Sequence, residues 1–172
     1  MTHINKFGFA LFLLLPVLLF GQFTLTLIEK KIEHDHPIPN ISADSLLQQL
    51  QSSGADFLLL DTRKPDEFNQ SHLQNAVRVD PDISEKKFWA QFGELARNKE
   101  LVFYCSVGKR SSIIAEKLLH SEFADSVSQI YNLRGGIFRW FNSGFTVVND
   151  SGATDSVHPF DRYWGQLLEK RD

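Results

Sequence analysis

Residues 101–111 read Leu101-Val102-Phe103-Tyr104-Cys105-Ser106-Val107-Gly108-Lys109-Arg110-Ser111. Four apolar residues in a row are the mark of a short strand covered on both faces, as in a parallel sheet. The run stops at a thiol. From Ser111 to Leu119 the apolar residues Ile113, Ile114, Leu118 and Leu119 then recur at helical spacing. Strand, tight loop and helix make the repeating unit of α/β folds, whose ligands bind beyond the carboxyl ends of the strands. Gly108 permits the turn, and a helix starting near Arg110 points its free N–H groups back at the sulfur. That helix end, with Lys109 and Arg110, favours a thiolate and would hold an anion bound to it. Cys105 is therefore the candidate nucleophile, and Ser106, Val107, Gly108, Lys109 and Arg110 form its cradle.

The same unit recurs on either side. Ser42-Ala43-Asp44-Ser45 starts a helix with Leu46, Leu47 and Leu50 on one face and Gly54 past its end. Phe57-Leu58-Leu59-Leu60 is a second buried strand, halted by Asp61. Ala76 to Val79 is a short strand, Ser84 to Ala96 an amphipathic helix, Val127 to Tyr131 a further strand, and Gly136 opens a helix carrying Phe138, Trp140 and Phe141. Strands alternating with helices imply parallel pairing through right-handed crossovers. The predicted fold is an α/β sandwich, with about 110 residues in one core.

Composition excludes several other classes. The chain has 172 residues, a formal net charge of −3 and a single Cys. This length suits one domain with an appendage. With no basic run, nucleic acid is a poor partner. One Cys forms no intrachain disulfide and no Cys-based zinc site, and His34 and His36 read as solvated side chains. No metal or cofactor is implied.

Three strings together resemble the rhodanese-like domains. Asp61-Thr62-Arg63 with Glu67-Phe68, His72-Leu73 and Ala76 is similar to their first signature, residues 101–111 to their active-site strand and loop, and Leu133-Arg134-Gly135-Gly136-Ile137 with Trp140 and Gly144 to their closing signature. The resemblance runs from Ile41 to Val148 and implies a five-stranded parallel sheet between helices. It also implies sulfur transfer: Cys105 takes sulfane sulfur from a small anion such as thiosulfate, carries it as a persulfide, and yields it to cyanide, a thiol or a protein acceptor. Arg110 would attract the anionic donor, Asp61 and Arg63 would brace the loops as an ion pair, and His72 would be structural. Arg134 would either face the site mouth or lie on the surface. Dual-specificity phosphatases of the cell-cycle type share the architecture but place five residues between Cys and Arg. Here there are four, Ser106 to Lys109, and the smaller ring suits sulfur better than a phosphoryl group. The remaining alternative is a binding or redox-sensing module that uses the same thiol without turnover.

Both ends of the chain extend beyond the resemblance. Phe7 to Ile28 holds no ionisable side chain. As a helix it would be about 33 Å long, against a hydrocarbon core of about 30 Å. Residues 1–28 are read as a signal peptide, with cleavage before Gln22, or as a membrane anchor, which places the domain in the periplasm or at the outer side of a membrane. Residues 29–40, rich in charge and Pro, are read as an irregular linker. Residues 149–156 are read as a second linker, and His158 to Leu168 as an aromatic helical tail with Tyr163, Trp164, Leu167 and Leu168 on one face. That face would pack on the domain or on a membrane or partner.

Overall fold

A computed structural model describes residues 24–52 and 56–171. Most of the apolar run behind the signal-or-anchor reading, and Gly54, lie outside them. Helix α1 covers residues 24–35. It is followed by β1 (Asn40–Ile41), α2 (Ala43–Gln51), β2 (Phe57–Asp61), α3 (Pro65–Gln70), β3 (Val77–Arg78), α4 (Glu85–Ala96), β4 (Glu100–Tyr104), α5 (Lys109–Leu119), β5 (Gln129–Leu133), α6 (Gly136–Asn142) and a hairpin of β6 (Val147–Asn149) and β7 (Gly152–Thr154).

Five strands form one parallel sheet in the order β1-β5-β4-β2-β3. The side chains of each strand alternate sides with period two, and both sides are apolar. Leu58, Leu60, Leu101, Phe103 and Ile130 meet Phe88, Trp89, Ile114 and Leu118 of α4 and α5. Leu59, Val102, Tyr104 and Leu133 meet the opposite layer, built from α1, α2 and α6. This double burial is why the strands read as unbroken apolar runs. Helix starts follow their caps: the Ser42 hydroxyl accepts the Ser45 N–H at 3.1 Å and Ser84 accepts that of Lys87 at 3.4 Å.

Several segments differ from the sequence reading, α3 among them, which it did not anticipate. The fifth strand, β1, begins at Asn40, inside the stretch read as linker, and β5 lies at Gln129–Leu133 rather than at Val127 to Tyr131. Most of the remaining linker is α1. Leu25 and Ile32 fall on one face of that helix and are buried in the core, with Ile28 packed beside them, so spacing rather than charge content decides its state. Its one buried charge, Glu29, is matched by Arg139 at 2.7 Å. The packed unit therefore begins by residue 24, not at Ile41. His36 is likewise not solvated: it meets Glu116 of α5 at 2.6 Å.

At the other end, residues 149–156 are not a linker, because Asn149-Asp150-Ser151-Gly152 is turn chemistry that closes the β6–β7 hairpin. The tail is not an α-helix. It turns at Pro159, and Asp161 accepts the N–H groups of Tyr163 and Trp164 at 2.8 and 2.9 Å, which starts a single 3₁₀ turn over Trp164–Leu167. Of the predicted apolar face, Leu167 is buried and Trp164 and Leu168 pack against the domain, while Tyr163 is exposed. Among the described residues no helix is long and apolar enough to cross a membrane.

Candidate active site

Cys105 stands directly after β4 at the carboxyl edge of the sheet and is buried. The loop behind it is held from two sides. Gly108 takes a left-handed φ of 97°, which costs a residue with a Cβ but not glycine, and it forms the cap from which α5 departs. Its N–H donates to the Cys105 sulfur at 3.2 Å. From the other side, the first turn of α6 approaches so closely that the Ile137 and Phe138 N–H groups donate to the carbonyls of Cys105 and Ser106 at 2.9 and 3.0 Å. A Cβ on Gly136 would lie 2.2 Å from the Cys105 carbonyl oxygen, so only glycine fits there. The Cys105 and Ser106 carbonyls are thus occupied by α6 while the Gly108 N–H faces the sulfur, and the first N–H groups of α5 have no intrahelical acceptor.

The carboxylate of Glu67, on α3, ties the loop together. Arg110 donates to it through both terminal nitrogens, at 2.8 and 2.7 Å, and the Ser106 hydroxyl donates at 3.1 Å. The Lys64 N–H adds a further bond at 3.1 Å. Burial alone would push the Glu67 carboxyl up, but the Arg110 hydrogen bonds and charge outweigh it and hold the group below its ordinary value. Burial would also weaken the Arg110 proton affinity, yet the bonds to Glu67 and the facing Cys105 raise it. The planar, two-pronged pairing fixes the guanidinium beside the loop.

A second ion pair lies beneath. Arg63 donates through Nε and Nη2 to Asp61 at 2.9 and 2.6 Å, and both side chains are fully buried. Nη2 also donates to the Ser71 carbonyl at 2.5 Å. The pair links the end of β2 to the turn after α3 and does not line the cavity over the sulfur. His72 bonds through Nδ1 to the Phe68 carbonyl at 3.0 Å and stacks on the Phe68 ring, also a structural place. Arg134 pairs with Glu33 of α1 and does not line the cavity over the sulfur.

A cavity of about 120 Å3 opens above Cys105, lined by Ser106, Val107, Lys109, Arg110, Phe160 and Trp164. A loop that delivers a thiol from a parallel strand to a helix N-terminus is the arrangement that the three sequence strings anticipated, and the family model for the Rhodanese-like domain matches residues 42–143. The chain belongs to the rhodanese-like domain family. A protein named sulfurtransferase from Allochromatium vinosum is 28% identical over 115 residues, covering 67% of this chain and 99% of its own. A probable molybdopterin-synthase adenylyltransferase from Porphyra purpurea is 27% identical over 127 residues, covering 70% of this chain, which spans only 31% of that protein. Among solved structures, thiosulfate sulfurtransferase from Pseudomonas aeruginosa superposes with a TM-score of 0.58 at 19% identity, over 88% of this chain and 26% of that one. That likeness concerns the fold.

Within this rhodanese-like site all six predicted loop residues come together. Sequence reasoning assigned Glu67 no partner, although it belongs to the first signature. Three residues after Lys64 and two after Pro65, it reads as a helix-capping carboxylate, which it also is. Nothing local shows that Arg110, distant in sequence, completes its shell. Phe160 and Trp164 belong to the tail in the sequence, and their position over the sulfur follows from the path of the chain.

Proposed function

We propose that the protein is a sulfurtransferase that carries sulfane sulfur as a persulfide on Cys105. The observation that carries this reading is the Cys105–Arg110 loop, whose thiol accepts a backbone N–H at 3.2 Å and faces a small cavity. A thiolate there attacks the outer sulfur of a donor such as thiosulfate. The new Cys105 S–S bond forms as the donor's S–S bond breaks, and the electron pair leaves with sulfite. The terminal sulfur, now anionic, lies among the N–H groups of the loop and the α5 terminus, which stabilise negative charge. Cyanide or a thiolate then attacks that sulfur and restores the Cys105 thiolate. No oxidant or base is consumed. Among the described residues no second Cys is available, so sulfur leaves only to an external acceptor.

The Cys-to-Arg spacing of four residues and the clamp of Arg110 by Glu67 favour sulfur over a phosphoryl group. The test is thiosulfate:cyanide turnover by the full chain against Cys105→Ser. The wild type forms thiocyanate and the variant falls to background, while both leave aryl phosphates untouched. Equal rates for the two proteins would remove Cys105 from the reaction. Absence of turnover with any sulfane donor would favour the binding module instead.

We also propose that the domain works outside the cytoplasm, supported by the uncharged stretch Phe7 to Phe23 that precedes α1. The mass of the mature N-terminus checks it. A start at Gln22 means cleavage ahead of α1, an intact Met1 or Thr2 means an anchor, and a mature form lacking Leu25 contradicts the packed α1.

A further inference from the structure

The segment from Val157 to Leu168 lies wholly beyond the family match, which ends at residue 143. It is fastened at both ends. Val157 is buried and Ser156 accepts from Gln70 at 2.7 Å. After the 3₁₀ turn, the carbonyl of buried Leu167 accepts from Asn142 of α6 at 2.7 Å, and the Asn142 side-chain oxygen takes the Glu169 N–H at 3.0 Å. Between these anchors the chain bows over the sulfur. Phe160 is held at a φ of 66°, a left-handed conformation that a bulky side chain rarely adopts, with its N–H donating to His158 Nδ1 at 3.0 Å. Its ring stands 5.0 Å from the Arg110 guanidinium carbon, and Trp164 lines the same cavity.

Charge and shape then point one way. The positive charge of Arg110 is matched within the protein by Glu67, so Lys109 at the exposed rim carries the remaining charge of the loop. A small dianion therefore meets one uncompensated cation beside the loop's N–H groups. The walls supplied by Phe160 and Trp164 instead offer aromatic surface at the mouth of a cavity of about 120 Å3 over the sulfur, against which an apolar group outside the cavity can lie. We infer that Phe160 and Trp164 are specificity-determining residues that select organic sulfane donors, monoanions whose inner sulfur carries an apolar group, over inorganic ones.

This inference rests on the sulfur-transfer reading and names its substrate class. With an organic thiosulfonate, the Cys105 thiolate attacks the outer sulfur and forms the Cys105 S–S bond. The bond between that sulfur and the sulfonyl sulfur breaks, and its electron pair leaves with the organic sulfinate. Cyanide removes the outer sulfur as thiocyanate, and electrons balance without a further reactant.

The experiment compares benzenethiosulfonate with methanethiosulfonate, which share head group and charge, using cyanide as acceptor and thiosulfate as reference. The ratio of their kcat/KM values is taken for the full chain and for Phe160→Ala and Trp164→Ala. Comparing ratios between proteins cancels the difference in intrinsic reactivity of the two donors. The wild-type ratio is expected to exceed that of either variant by about tenfold, the scale on which apolar contacts discriminate. A second measurement needs no variant: benzenesulfinate should inhibit wild-type methanethiosulfonate turnover about tenfold more strongly than methanesulfinate. Unchanged ratios, or equal inhibition by the two sulfinates, overturn the assignment of Phe160 and Trp164 and leave sulfur transfer standing. No turnover of any of the three donors overturns both.

Discussion

Glu67 illustrates how one buried side chain organises a reactive loop. It satisfies Arg110, Ser106 and the start of α3 at once, and removing its charge leaves the guanidinium facing an uncharged group. Glu67→Gln is expected to cost about 2 kcal/mol at pH 7, the scale of a hydrogen-bonded charge pair. The pH dependence follows from the direction of its shift. The folded carboxyl lies below its ordinary 4.5, so the unfolded chain binds more protons in that window. The stabilisation is complete above about 4.5 and is lost as pH falls through the folded value. Urea midpoints measured from pH 7 down to 3 should show the gap between wild type and Glu67→Gln narrowing as acid is added. A gap independent of pH would contradict the ion pair. Asp61 is bound to Arg63 beneath the loop. Asp61→Asn strands Arg63 in a fully buried place and is expected to lower unfolding free energy by about 3 to 5 kcal/mol, read in the same urea titration.

Among the elements, α6 has the closest hold on the loop. Its first turn donates to the carbonyls of Cys105 and Ser106 across a gap that no Cβ fits. Gly136→Ala also meets a φ of 55°, so it must displace either the helix or the reactive loop. Thiosulfate turnover should fall at least about 100-fold, in line with the cost of an ångström-scale misplacement, and an alanine variant with unimpaired rate would show that α6 does not position the loop. The alternation of strand and helix behind this arrangement is legible in the sequence, because β2 and β4 are buried on both faces and a short unbroken apolar run between turn residues suits little else. The α6–loop contact is not legible there, because Gly135-Gly136 marks a tight place without saying what comes near.

At the scale of the whole molecule, the terminal segments complete the domain rather than trail from it. Leu25 of α1 is fully buried in the same core as α2 and α6. Leu25→Ala is expected to cost about 2 to 5 kcal/mol, measured by chemical unfolding, whereas a Leu25 lying outside the core, as in the signal-or-anchor reading of residues 1–28, would show no change. Both ends look like linkers in the sequence for one reason: charge, Pro and small polar residues describe a segment's surface preference, while its neighbours decide whether its few apolar residues find a core. The sequence by itself determined the layered α/β class, the strand that ends at Cys105, the six-residue loop and the family, because periodicity and turn chemistry are local and the loop's residues are contiguous. Only the tertiary structure decided that Glu67 clamps Arg110, that Arg134 turns toward α1, and that Phe160 and Trp164 wall the thiol. Those relations join residues far apart in the chain, and whether distant groups meet depends on how the packed layers bring their loops to one edge of the sheet.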